Sequence, residues 1–169
     1  MRPLDPLDGT TGSAAGDGTQ FLTFALGAEE YGVAILNVQE IKGYSTVTPI
    51  PNTPAYVKGV MNLRGTIVPV IDLRLRLGMP PAEYGPFTVI VVLAVGTKIV
   101  GTIVDAVSDV LRIPDADVQP TPSFGGAVDT RFIAGIARAN EKLVVLLDVD
   151  TMLRHEDLSA LDDPSGVPG

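Results

Sequence analysis

Few residues in this chain could carry chemistry, and the first of them is an arginine. Arg64 stands in the short polar turn Asn62-Leu63-Arg64-Gly65, between the apolar runs 59–63 and 66–71. Its candidate companions are the carboxylates Glu40, Asp72, Asp105 and Asp109, since an arginine paired with a carboxylate can hold an anion or orient a general base. The remaining catalytic vocabulary is thin. The chain has no cysteine and a single histidine, His155, and it shows no glycine-rich phosphate loop, zinc-ligand spacing or nucleophile elbow. Asp72 and Asp148 each stand where a strand hands over to a helix and read as helix caps. Asp105 and Asp109 follow a strand and read as solvated. An enzyme or a small-ligand barrel built on Arg64 and a carboxylate is therefore the weaker reading. A lone turn arginine is by default a solvated charge without function, so the elements around it must decide.

Those elements are β-rich. Residues 66–71 are β-branched and apolar on both faces, which predicts a buried strand, and Pro69 inside it predicts an edge or a bulge. Arg64 then sits at the tip of a hairpin, on rigid scaffold. Upstream, residues 21–26 and 31–35 read as two strands joined at Gly27, and Val38-Gln39-Glu40-Ile41 as a short helical turn or irregular piece. Pro49, Pro51 and Pro54 forbid regular structure before the hairpin, and Thr53-Pro54 predicts a short helix over 55–58. Asp72 caps a helix over 73–77, which Gly78 and Pro80-Pro81 stop. Residues 1–19 and 156–169 have little to bury and read as a disordered arm and a flexible tail. One folded region, 20–155, remains between them.

The chain also repeats itself. Residues 21–41 align without a gap on 90–110 at an offset of 69, matching Gly27 to Gly96, Gly32 to Gly101, Val38 to Val107 and Glu40 to Asp109. Residues 53–77 align on 129–153 at an offset of 76, matching Tyr56 to Phe132, Gly59 to Gly135, Val68 to Val144 and Asp72 to Asp148. Two copies of one unit follow, about 20–85 and 86–155. Each has about five short strands, too few for an open sheet with both faces buried, so each is expected to curl into a small barrel and pack on the other. Arg64 aligns with Asn140 and Pro69 with Val145. The shared scaffold does not require either residue.

Charge and composition narrow the partners. The net charge of -8 argues against nucleic acid or an anionic membrane, although residues 1–19 and 154–169 carry -2 and -3 of it. No leader sequence and no spanning apolar run is recognisable, so a cytoplasmic protein without cofactor or metal is expected. Recognition material is present instead. Phe124, held between prolines and glycines, is either a satellite of the core or an anchor for a partner, and Val38, Ile41 and Tyr44 pose the same question.

The motifs Tyr31-Gly32-Val33, Ile35 to Ile41, Pro51-Asn52-Thr53-Pro54, Gly59 to Arg74 and Val100-Gly101 with Val104 to Val110 together resemble the CheW family of bacterial chemotaxis coupling proteins. The match covers about residues 20–155. The resemblance implies a mainly β fold of two intertwined five-stranded SH3-like barrels with short helices and a C-terminal helix, with strands or the helix exchanged between the halves. It implies a non-catalytic adaptor that couples methyl-accepting chemoreceptors to the histidine kinase CheA, or a similar coupler in a non-chemotactic receptor pathway. By position, receptor binding falls on Arg64, Val38 and Glu40, with Asn62 and Gly101 nearby. Kinase binding falls on Phe124 and on Gln119, which replaces a basic residue often found there. The resemblance further implies receptor tips and the kinase regulatory domain as partners, self-association in arrays, and a cytoplasmic location at membrane receptor arrays.

Overall fold

A computed structural model of the protein describes residues 18–120, 130–139 and 141–154. In chain order the strands are β1 (Thr19–Leu26), β2 (Glu29–Ala34), β3 (Val38–Gly43), β4 (Val57–Leu63), β5 (Thr66–Asp72), β6 (Val89–Val95), β7 (Lys98–Val104), β8 (Ala106–Ile113), β9 (Val118–Gln119), β10 (Ile133–Ala139) and β11 (Lys142–Leu147). Helix α1 (Leu73–Arg76) follows β5, and α2 (Val149–Arg154) follows β11. No helix among the described residues is long and apolar enough to cross a membrane. Neither Phe124, Asn140, His155 nor the segments 1–17 and 155–169 fall among the described residues.

Two sheets form, in the orders β9-β10-β11-β2-β1-β8 and β3-β6-β7-β5-β4. We call them barrel one and barrel two. Neither repeat closes on itself, as the length of one unit had suggested. The hairpin β1-β2 of the first repeat lies among strands of the second, and the hairpin β6-β7 of the second lies among strands of the first. A five-strand unit buries more apolar surface by donating its first hairpin, because both faces of that hairpin are then covered.

The repeat read from the sequence reappears in the registers. The parallel pair Val70↔Gly101 between β5 and β7 corresponds to Leu146↔Gly32 between β11 and β2. A bulge between Val38 and Glu40 against β6 corresponds to one opposite Val107 and Asp109, between Thr23 and Phe24 of β1. A second, between Val57 and Gly59, corresponds to one between Ile133 and Gly135. Both units also close the same way: Thr48 pairs with Val60, and Gln119 with Ile136. Gly59 sits at that closure with φ 144°, and a Cβ there would run into the Thr48 carbonyl. At Gly135 a Cβ would lie 2.6 Å from Val118 Cγ1 and 2.9 Å from Gln119 O. Only glycine lets the strand backbone approach the preceding segment this closely.

Pro69 is accommodated without loss. Val60 uses both its N–H and its carbonyl on Thr48, so Val60 and Pro69 form a non-hydrogen-bonded pair and no β4–β5 bond is sought from the proline nitrogen. On the other side, pairing with β7 begins only at Val70. Asp72 caps α1 by accepting from Leu75 N at 3.3 Å, and Asp148 caps α2 by accepting from Thr151 N at 3.0 Å. Both caps are as the sequence predicts.

Three local expectations change. Val38–Gly43 is a strand, because its backbone completes the ladder on β6 and its burial alternates. The turn before it, Ile35–Asn37, is the 3-10 piece. Residues 55–58 form no helix: Thr53 Oγ1 donates to Ile50 O at 3.0 Å, Val57 N closes one turn on Pro54 O, and β4 begins at Val57. Ile67, expected to be buried, is 59% exposed near the hairpin tip.

Three apolar clusters hold the molecule together. One lies between the barrels and joins Leu22, Phe24 and Tyr31 to Leu73, Val91, Leu93, Phe132 and Met152. The interior of barrel two holds Met61, Leu63, Val68, Val70, Ile90, Val92 and Ile103. Barrel one encloses a smaller set, Ile113, Ala137, Val144 and Leu146. On the seam, the Arg76 guanidinium lies 4.8 Å from the ring centre of Tyr56 and 4.4 Å from that of Phe132, so the two repeat-equivalent aromatics flank one cation.

Candidate functional site: the Arg64 hairpin of barrel two

The β4-β5 hairpin turns in two residues, with Arg64 at φ 50° and Gly65 at φ 89°. Positive φ at both central positions is the type I′ geometry, whose twist matches the strands it joins. Asn62 Oδ1 accepts from Gly65 N at 2.7 Å and braces the turn. An arginine in the left-handed region is uncommon, so this tip is not simply the cheapest available turn.

Arg64 reaches across to the opposite edge strand of the same sheet. Its Nη2 donates to Glu40 Oε1 at 2.5 Å, and the pair joins the β4-β5 tip to β3. The guanidinium side chain is 68% exposed and the carboxylate 24%. Hydrogen bonding to Arg64 holds the Glu40 carboxyl below the usual glutamate range, and the same contact pushes the arginine up. Both groups stay ionised at neutral pH. The β3 bulge between Val38 and Glu40 re-aims the strand at the point from which Glu40 meets Arg64. Around the pair, Ile41 is 42% and Ile67 59% exposed. The pair offers an exposed charge on rigid strands, and the same strands carry the exposed Ile41 and Ile67.

The structure brings together Arg64, Glu40 and Asn62, and puts Val38 beside them on β3. Val38 is half-buried and packs on the core between the barrels, while Tyr44 packs on the barrel-two interior with its ring 4.6 Å from that of Tyr84. For Tyr44, core packing is the answer; Val38 packs on the core with part of its surface and leaves the rest exposed on β3. Gly101 is buried inside barrel two, where a Cβ would lie 3.0 Å from Ile90 Cγ2; it presents no side chain to a partner and shapes the interior instead. Gln119 lies on exposed β9, in the other barrel. Phe124, its companion in the sequence reading, is outside the described residues.

The other carboxylates are engaged elsewhere. Asp72 is buried, caps α1 and accepts from Tyr84 Oη at 2.6 Å; burial, and then this bond, raises the tyrosine pKa. Asp105 is not simply solvated. It receives Arg74 Nε at 2.9 Å, Arg74 Nη2 at 2.6 Å and the Gly27 amide at 2.8 Å. Asp109 lies on exposed β8 of barrel one. The sequence reading missed Ile67 and the Arg74–Asp105 fork. A signal for the fork existed, because the repeat aligns Asp105 with Leu36, an acid with an apolar residue.

Two barrels that exchange hairpins, with an ion pair presented at an exposed hairpin tip, have the form of a binding scaffold. Residues 20–157 match the CheW-like domain, and the chain belongs to that family of chemotaxis scaffold and adaptor proteins. The chemotaxis protein CheW of Klebsiella aerogenes is 43% identical over 156 residues, covering 91% of this chain and 94% of that protein. The chemotaxis protein CheW of Rhizobium meliloti is 39% identical over 143 residues, 85% of this chain and 92% of that protein. The crystal structure of the scaffolding protein TtCheW from Thermoanaerobacter tengcongensis superposes with a TM-score of 0.72 at 34% identity, covering 77% of this chain and 84% of that one. Mainly β architecture with two SH3-like subdomains is thereby shared, and the chain is a non-catalytic scaffold.

Proposed function

We propose that this chain couples chemoreceptors to the histidine kinase CheA, gripping the receptor's helical signalling tip with the barrel-two face that carries Arg64, Glu40, Asn62 and Val38. The observation that carries the reading is the Glu40–Arg64 pair, an arginine held at positive φ and presented by a bulged strand's glutamate, on strands that also carry the exposed Ile41 and Ile67. Such a surface fits an amphipathic helical tip with acidic and apolar positions. The kinase regulatory domain is assigned to Phe124 and Gln119, of which Gln119 lies on β9 of barrel one. A protein with two such faces works at membrane receptor arrays, and self-association of copies there is compatible with both grips.

Receptor-tip binding by Arg64→Glu tests the assignment. Binding is expected to weaken at least about tenfold, with the thermal melt retained, because the charge at the centre of a small interface is reversed. The exchanged pair Glu40→Arg with Arg64→Glu restores the ion pair without restoring the arginine at the tip. Continued loss in that variant means the partner reads the guanidinium, and full binding by folded Arg64→Glu sinks the assignment.

A further inference from the structure

Barrel one keeps open a space that barrel two fills. A cavity of about 210 Å³, open to solvent, is lined by residues of β1, β2, β8, β10 and β11. Thr23 and Val144 are buried at its floor, with Leu111 and Ala139 half-buried beside them. The Thr23 hydroxyl commits its proton to the Asp109 carbonyl at 3.2 Å, so the floor offers apolar surface and no free donor. Its rim is charged: Glu30 is half-buried there, and Ser108, Asp109 and Lys142 are exposed. At the repeat-equivalent positions barrel two carries Val92 for Thr23, Leu63 for Ala139 and Thr66 for Lys142. Neither the cavity nor the lysine is therefore required by the fold, since a barrel of the same strand order closes without them.

The rim charges do not neutralise one another. Glu30 Oε2 accepts from Ser108 Oγ at 3.1 Å, and Asp109 Oδ1 accepts from the Val110 amide at 2.8 Å. One oxygen of each carboxylate is thereby left without a protein donor among the described residues. Lys142 forms no ion pair with either carboxylate or with any other described residue. Opposite charges thus line one small cavity without meeting, above an apolar floor. A simple cation would face Lys142 there, and a simple anion would face two carboxylates. Nor is a metal ion catered for, since no group of three or more acidic or histidine side chains among the described residues could hold one. A molecule that carries both charges on a short carbon stem satisfies every group.

We propose that the mouth of barrel one binds a small zwitterion of the amino-acid class. Its ammonium lies on the free oxygens of Glu30 and Asp109, its carboxylate on Lys142 Nζ, and its stem on Leu111, Ala139 and Val144. The cavity is smaller than the roughly 300–1,000 Å³ of pockets for drug-sized ligands, which restricts the occupant to a compact one. Charge-assisted bonds at both ends, in a recess partly shielded from bulk water, select for the two charges together. No residue of the Arg64 face takes part, so this site stands or falls apart from the coupler reading.

Titration of the isotope-labelled full chain with glycine, β-alanine, γ-aminobutyrate and ε-aminocaproate, followed by nuclear magnetic resonance, tests the site, because the series varies the spacing between the two charges. At least one member is expected to shift the Thr23, Ser108, Asp109 and Ala139 amides saturably at millimolar concentration and to raise the thermal midpoint. Propylamine and propionate, which carry one charge each, are expected to bind at least about tenfold more weakly. Lys142→Met removes the partner of the carboxylate at an exposed position and is expected to weaken binding at least about tenfold. Ala139→Leu gives barrel one the side chain that barrel two has at Leu63, fills the floor, and is expected to abolish the shifts. Should Ala139→Leu fail to melt cooperatively, Lys142→Met carries the test alone. Absence of saturable shifts with every member, equal binding of the singly charged compounds, or parent-like affinity in folded Lys142→Met overturns the proposal.

Discussion

Barrel two and barrel one are built on the same strand order, the same bulges and the same closing bridge, yet they are filled differently. Where barrel two has Met61, Leu63 and Val92, the equivalent positions of barrel one are Ala137, Ala139 and Thr23. The large residues fill barrel two. The small ones leave a groove of about 210 Å³ in barrel one, lined in part by Thr23, Glu30, Asp109, Ala139 and Lys142. At the tips the contrast runs the other way. Ile41 and Ile67 have exposed counterparts of nearly equal exposure in Val110 and Leu143, but only barrel two pairs them with Arg64 and Glu40. Shared positions therefore explain why the chain folds into two barrels, and unshared ones separate a tightly packed barrel carrying the Arg64–Glu40 pair from a looser partner.

The harshest way to break the likeness is at the closing glycines. Gly59→Ala adds a Cβ against the Thr48 carbonyl at φ 144°, and backbone cannot yield as a side chain can. A loss of at least about 3 kcal/mol is expected in chemical denaturation. Gly135→Ala meets the Val118 side chain first, and Val118 belongs to a two-residue edge strand that can shift. About 1–2 kcal/mol is expected there. Equal losses would mean that the closures are mechanically alike despite their different neighbours.

Much of this likeness was legible from the residues alone. The offsets of 69 and 76 align glycines, apolar positions and caps that the registers then reproduce, because backbone closures and core alternation demand particular residue types at fixed spacing. The exchange of hairpins was not legible from spacing, since the pattern within a hairpin is the same whichever sheet receives it. The strand at 38–43 was missed because its half-buried position 40 carries a glutamate and its exposed position 41 an isoleucine, so residue type does not follow the alternating burial. Of the candidate site, Arg64, Glu40 and Asn62 were found as separate residues. Their ion pair and turn brace join strands far apart in sequence, which no local pattern reports.

The interiors give a milder test. Val92 is fully buried, and Val92→Thr places in barrel two the hydroxyl that barrel one carries at Thr23. In barrel one that hydroxyl donates to Asp109 O at 3.2 Å. Glu40 stands opposite position 92 as Asp109 stands opposite Thr23, so the new hydroxyl has a carbonyl acceptor but replaces a methyl in the cluster of Met61, Leu63 and Ile90, and about 1 kcal/mol is expected to be lost. The reverse exchange, Thr23→Val, removes one modest hydrogen bond and adds apolar surface beside the groove; within about 0.5 kcal/mol of the parent is expected. Comparable costs in both directions, by urea denaturation, would show that the packing contrast does not reach energetics.

The smallest expected effect separates stability from recognition at the tip itself. Arg64→Asn gives barrel two the residue that the repeat places at 140 and that type I′ turns favour before glycine. Asparagine tolerates positive φ better than arginine, and the Glu40 contact it forfeits is solvent-exposed. The urea midpoint is therefore expected to stay level or rise by a few tenths of a molar, while receptor-tip binding falls as it does for Arg64→Glu. A protein that gains stability and loses its partner would show arginine at this turn to be held for recognition, against the preference of the fold. Lost stability would instead make the Glu40–Arg64 pair part of how barrel two closes.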